Sequence, residues 1–233
     1  MTSAVARYAF SALGLLCGAS AAAAAQSAIE IRAEDGGVIH ADAYGSGERG
    51  VVLAHGGRFD RTSWKPQAIV LAGMGFRVIA IDFRAAVEAR KGRETPCLYE
   101  ATCLVKDVLA AVRHLSRTGA TTVAIVGGSL GGGAAAQATI DAKPGEIDRV
   151  VLLAHMLIDT PEKMRGRKLF IVARNDLGGN DRPRLDGIRK QYEQAPDPKE
   201  LVVLEGSGHA QFVFQTDQAR PLMREIVRFL SAP

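Results

Sequence analysis

Val123-Ala124-Ile125-Val126-Gly127-Gly128-Ser129-Leu130-Gly131-Gly132-Gly133-Ala134-Ala135-Ala136 decides the reading of this chain. Its first four residues are apolar, three of them β-branched, and read as a short buried strand. The alanine-rich end reads as a helix. Between them, Gly127-Gly128-Ser129-Leu130-Gly131 matches G-x-S-x-G in the strand-turn-helix setting that the motif requires. A strand that turns straight into a helix strains its apex residue. Small residues two before and two after let strand and helix close around it, and the serine hydroxyl is lifted out of the sheet.

Two other readings of the stretch are weaker. Gly131-x-Gly133-x-x-Ala136 fits a dinucleotide fingerprint, but those glycines lie past the turn, inside the helix, where they cannot cradle a pyrophosphate. No Lys-Ser or Lys-Thr follows, which removes a P-loop. A glycine-rich turn with an incidental serine is tested by the rest of the chain, because a nucleophile elbow demands an acid and then a histidine downstream.

Working outward, the chain alternates strands and helices. Residues 28–33 and 38–44 read as an antiparallel hairpin around Asp35-Gly36-Gly37. Strands are expected at 51–54, 76–81, 121–126, 149–154, 169–173 and 201–204. Helices are expected at 64–74, 103–116, 130–141 and 188–194, with a C-terminal one marked by Leu222, Ile226, Phe229 and Leu230. A polar loop is expected after Asp82-Phe83-Arg84. This pattern is an α/β sheet, mostly parallel, with helices on both faces. Ligands of such sheets lie at the carboxyl ends of the strands. Ser129, Asp176, His209 and His55-Gly56-Gly57 all fall there.

Elimination selects the partners of Ser129. His40 lies in the hairpin, His114 in a helix, and His55 and His155 precede the strand-end acids that follow Ser129. Only His209, in Gly206-Ser207-Gly208-His209, completes the order Ser, Asp, His. Asp176 follows an apolar strand by two residues and is the best acid; Asp159 is the alternative and Asp181 a weaker one. In these roles His209 takes the serine proton, Asp176 orients and stabilises the imidazole, and backbone N–H groups of Leu130 and Gly57 receive the oxyanion, with Arg58 a lesser choice for the second donor. His55 reads as a structural hydrogen-bonding residue.

These residues resemble the α/β-hydrolase fold family, over about residues 29–230. The match rests on His55-Gly56-Gly57, Gly127-x-Ser129-x-Gly131, Asp176 and Gly208-His209. The small size is similar to dienelactone-hydrolase-like and lysophospholipase-like esterases. Two departures affect the site. Ala85-Ala86-Val87-Glu88 stands where members often carry Gly-x-Gly-x-Ser, and residues 156–166 are too few for a helical cap. An open site is therefore expected.

Composition bounds the rest. The chain has 233 residues, 47% hydrophobic and 23% charged, which suits one sizeable core and a single domain over 26–233. The net charge of +4 is spread among acids, and only 6% of residues are aromatic, so nucleic acid is not an expected partner. Arg58, Arg84 and Arg93 read as solvated loop charges rather than an anion site. Arg7, an apolar stretch centred on Leu13, Leu15 and Leu16, and Ala23-Ala24-Ala25 read as a secretory signal peptide over 1–25. A periplasmic or secreted location without a stable membrane anchor is the expectation. Removing that segment leaves Cys97 and Cys103, a possible disulfide of about 2 kcal/mol. Residues six apart on one helix lie about 9 Å apart, so a bond would require the helix to start near Cys103. No metal ligand pattern occurs and no cofactor is implied.

The function expected is a serine hydrolase cleaving a small-molecule carboxylic ester or thioester through an acyl-enzyme. A peptidase or amidase on the same triad and a catalytically silent binding protein of this fold are the alternatives.

Overall fold

In the computed structural model, which describes residues 26–93, 101–178 and 181–233, the apolar runs become the centre of one eight-stranded sheet. Its strands are β1 (Gln26–Arg32), β2 (Val38–Tyr44), β3 (Arg49–Ala54), β4 (Phe76–Ile81), β5 (Thr122–Gly128), β6 (Arg149–Leu153), β7 (Arg167–Ala173) and β8 (Lys199–Leu204). Successive strand residues point to opposite faces. Every residue of β5 after Thr122 is buried, and so is every residue of β6 after Arg149, so both faces are covered.

The strand order is β1-β2-β4-β3-β5-β6-β7-β8. β1 pairs with β2, and β2 with β4, in the antiparallel sense; all other pairs are parallel. The expected hairpin and mostly parallel sheet are thus both present. From β3 the chain winds one way to β4 and the other way to β5. This reversal opens the crevice at the carboxyl ends of β3 and β5, where ligands of open α/β sheets bind.

The helices are α1 (Lys65–Gly73), α2 (Arg84–Arg90), α3 (Ala101–Arg117), α4 (Leu130–Asp141), α5 (Arg184–Gln194) and α6 (Ala219–Ser231). The apolar spacing of α3 buries Val105, Val108, Leu109, Val112 and Leu115, and α6 buries Leu222, Ile226, Phe229 and Leu230. Only the short 3-10 turn Pro161–Lys163 stands between β6 and β7, where a cap would be inserted. Among the described residues, no helix is long and apolar enough to cross a membrane.

Three expectations are corrected. The segment expected as a loop after Asp82 holds α2. Seven residues make about two turns, too few for an apolar period to register, and the helix has no side-chain N-cap. Its start is fixed from outside: the Arg84 N–H and guanidinium both donate to Asp107, which is fully buried on α3. The helix expected from residue 103 begins at Ala101, and the one expected from 188 begins at Arg184. Of the expected pair Cys97 and Cys103, Cys97 lies outside the described residues, as does the expected signal peptide.

Arg84 also donates to both carboxylate oxygens of Asp35 at 2.7 and 3.0 Å, which fastens the β1–β2 turn to α2 and α3. The guanidinium fills the space beside Gly37, where a Cβ would lie 1.5 Å from it. Arg84 and the Gly37 N–H hold Asp35 down at about 2, while burial pushes Asp107 up to about 6. As pH falls, Asp107 is neutralised first, and Asp35 is then the carboxylate left to balance Arg84. Because the folded-state pKa of Asp35 is depressed, its stabilisation is complete above the unfolded value of about 4 and is lost between pH 4 and 2. Asp35→Asn should therefore lower the urea midpoint at pH 6, and the gap from wild type should close as pH falls to 2, which urea titrations at both values would measure.

Candidate active site

β5 runs into α4 with Ser129 as the joint. Ser129 has φ +48° and ψ −112°, a conformation L-residues rarely adopt. The two flanking glycines of the motif have a steric cause. A Cβ on Gly127 would sit 2.4 Å from the Gly131 carbonyl oxygen, and one on Gly131 would sit 2.4 Å from the Ala54 carbonyl oxygen. Strand, turn and the end of β3 are packed backbone to backbone, and no side chain fits. Ser129 is tied to its neighbours: its N–H donates to Leu153 and its carbonyl accepts from Met156, both at 2.9 Å.

His209 stands over this serine. Its Nε2 lies 2.9 Å from Ser129 Oγ, and its Nδ1 lies 2.8 Å from Asp176 Oδ2. Asp176 accepts only, so Nδ1 carries the proton and Nε2 is free to accept from the hydroxyl. Asp176 is buried just after β7, and its other oxygen faces the guanidinium of Arg184 at 3.3 Å. The Arg184 N–H also donates to the Asp176 carbonyl at 2.9 Å. The three residues selected by chain order thus meet in one hydrogen-bonded line. Asp159 and Asp181 are exposed, and neither is bonded to His209.

The loop after β3 faces Ser129; a Cβ on Gly56 would sit 3.4 Å from the serine Cβ. The peptide joining Gly56 to Gly57 is held by its oxygen. That carbonyl accepts from His55 Nδ1 at 2.8 Å and from the Phe59 N–H at 3.0 Å. In a trans peptide the N–H points opposite to the carbonyl, so the Gly57 N–H is directed away from His55. His55 is fully buried, its pKa is lowered by burial, and its Nε2 accepts from the Phe83 N–H at 3.3 Å. It is a neutral clamp on the loop, as its structural reading implied. The second expected donor, the N–H of Leu130, is in the first turn of α4, where no intrahelical acceptor exists and the helix dipole favours an anion. His155 lies under the site against the Phe170 ring, with burial pushing its pKa down to about 4.

Two residues escaped the sequence reading. Gln211 is buried; its Oε1 accepts from the Gly56 N–H and its Nε2 donates to Ser63 Oγ, both at 2.7 Å. It joins the His209 loop to the Gly57 loop across 155 residues of sequence. The other is Arg184, the first residue of α5. Neither belongs to a local motif: Gln211 bonds residues 155 and 148 positions away, and Arg184 reaches back to Asp176 from the start of its helix.

A family model described as alpha/beta hydrolase fold matches residues 50–197. The chain belongs to the α/β-hydrolase fold family. No curated protein matches its sequence. Among solved structures it is similar to a dienelactone hydrolase from Anabaena variabilis, at 20% identity and a TM-score of 0.71, over 88% of this chain and 96% of that one. It is also similar to an esterase of Pyrococcus furiosus, at 17% identity and 0.71, over 89% and 92% of the chains. Brefeldin A esterase, a bacterial homologue of human hormone sensitive lipase, aligns at 17% identity and 0.72, over 90% and 77%. At these identities the likeness is one of fold.

The glycine contacts give a direct test. Gly131→Ala forces a methyl onto a backbone carbonyl that cannot yield and should cost about 1–3 kcal/mol or more. Gly73→Ala, at the end of α1 with open space around it, should be neutral or slightly stabilising. Guanidinium denaturation of both variants distinguishes them.

Proposed function

We propose that this protein is a serine hydrolase that cleaves a small-molecule carboxylic ester or thioester through an acyl-enzyme. The observation that carries the reading is the continuous line Asp176, His209, Ser129, with contacts of 2.8 and 2.9 Å between groups from three different strand ends. Ser129 Oγ attacks the carbonyl carbon while His209 Nε2 takes its proton. The N–H groups of Gly57 and Leu130 receive the tetrahedral oxyanion. Collapse expels the alcohol or thiol, which takes the proton from His209. A water, deprotonated by the same imidazole, then releases the acid by the same route. Asp176 favours the imidazolium at each stage and Arg184 steadies its far oxygen. A peptidase or amidase would use the same groups; no observation favours it.

The reading extends to the chain's setting. Residues 1–25 would direct export to the periplasm or the medium, and residues 26–233 would act as one domain without a cap. The short connection between β6 and β7 supports a site open to small substrates.

Hydrolysis of p-nitrophenyl acetate and butyrate should show a burst followed by steady turnover. In Ser129→Ala the burst should vanish and the rate fall on the order of a thousandfold or more; a variant as active as wild type would refute the assignment. Gln211→Leu leaves the Gly56 N–H without its acceptor, removes the donor to Ser63 Oγ and frees the Gly57 loop. It should lower kcat about tenfold, a loss of about 1.4 kcal/mol, with KM nearly unchanged, as steady-state kinetics on the folded variant would show.

A further inference from the structure

Asp82 stands one residue past β4, and its N–H still donates to the His40 carbonyl of β2 at 2.9 Å, so it rides on the sheet. It is 4% exposed. From this buried place it addresses the segment between β3 and α1. One carboxylate oxygen accepts the Arg61 N–H at 2.9 Å, and the other accepts from the Arg61 guanidinium. That guanidinium also faces Oδ1 of Asp42, a second buried carboxylate on β2, at 3.1 Å. Arg90, the last residue of α2, lies 3.7 Å from Asp82 Oδ1 and donates to the Phe59 carbonyl at 3.2 Å.

The loop that carries Gly57 is therefore held at two ends. At one end His55 and Gln211 hold Gly56. At the other, Arg90 and Asp82 hold Phe59 and Arg61. Between these anchors, the N–H groups of Gly57 and Arg58 have no acceptor among the described residues. Glycine left to itself samples both signs of φ. A short span fixed at both ends keeps the free Gly57 N–H in one direction.

The charges call for a reason beyond stability. Two carboxylates withdrawn from water around one guanidinium gain little, and apolar residues of the same volume often serve as well or better. What charge-assisted hydrogen bonds add is direction. Asp82 takes both the backbone N–H and the guanidinium of Arg61, so it fixes the main chain of that residue as well as its side chain. An apolar contact would press the loop onto the sheet without setting where its peptide planes point. We infer that Asp82 is a positioning residue of the reaction, which through Arg61 and Arg90 aims the Gly57 N–H at the developing oxyanion. This rests on the serine hydrolase reading above. Removing one oxyanion donor costs about a hundredfold or more in kcat, and a donor that is present but badly aimed should cost about tenfold.

The test compares steady-state hydrolysis of p-nitrophenyl acetate with the Ki of an alkyl trifluoromethyl ketone. Ser129 Oγ adds to the ketone carbon, its proton passes to His209, and the carbonyl oxygen becomes the oxyanion. Asp82→Asn keeps an acceptor for the Arg61 N–H and removes the charge. Acylation and deacylation both pass through an oxyanion, so kcat should fall about tenfold with KM within about twofold, and the ketone Ki should rise by about the same tenfold. Asp42→Asn removes the carboxylate that meets only the Arg61 guanidinium. It should lower the urea midpoint and leave kcat and Ki within about twofold of wild type. If Asp82→Asn does not fold, Arg90→Met decides, since that side chain lies nearly half in water; kcat should fall and Ki rise about threefold, with KM unchanged. Wild-type kcat and Ki in folded Asp82→Asn, or in Arg90→Met standing in for it, would overturn the inference. So would an Asp42→Asn protein that loses as much kcat as Asp82→Asn. Absence of ester hydrolysis by wild type would remove the hydrolase reading itself, an outcome distinct from an active wild type with an unimpaired Asp82→Asn.

Discussion

The site depends on one steric constraint, the backbone-to-backbone packing at the joint of β5 and α4. Ser129 stays at φ +48° only because Gly127 and Gly131 let the strand, the helix and the end of β3 meet without an intervening side chain. A residue in such a conformation costs about 1–3 kcal/mol and persists where its surroundings over-determine it. Here they do: the serine N–H and carbonyl are each bonded to the chain around β6. Three more non-glycine residues with positive φ lie at the same end of the sheet, one of them Asp181 (φ +57°) between β7 and α5. Ala154 (φ +44°) precedes His155 and Ala210 (φ +49°) follows His209. Strain is concentrated where side chains are aimed at the crevice.

From that joint a second level of organisation follows. The loop that offers the Gly57 N–H is fixed at each polar group of Gly56. His55 and Phe59 hold the Gly56 carbonyl, and Gln211 holds the Gly56 N–H. Since Gln211 is two residues from His209, the proposed general base and the proposed oxyanion donor are parts of one hydrogen-bonded body. Such a body is assembled before substrate arrives, and preorganised donors stabilise developing charge without reorganisation at the moment of reaction.

Most of the frame was legible in the sequence, because its signals are local. Apolar runs gave the parallel strands, the Asp35-Gly36-Gly37 turn gave the hairpin, and chain order pointed to Asp176 and His209. What escaped was decided by contacts that no local motif marks. α2 is too short to show a period and is anchored by Asp107 of α3. Gln211 and Arg184 gain their roles from partners that no spacing rule connects. Likewise, the choice of Asp176 over Asp159 followed from the 2.8 Å contact with His209.

The central claim is that Ser129 is an activated nucleophile. A fluorophosphonate reacts irreversibly with such a serine, and peptide mass mapping locates the adduct. The account predicts one adduct per chain, on the peptide containing Ser129, formed in step with the loss of ester hydrolysis. An unlabelled Ser129, or loss of activity with the adduct at another residue, would contradict it.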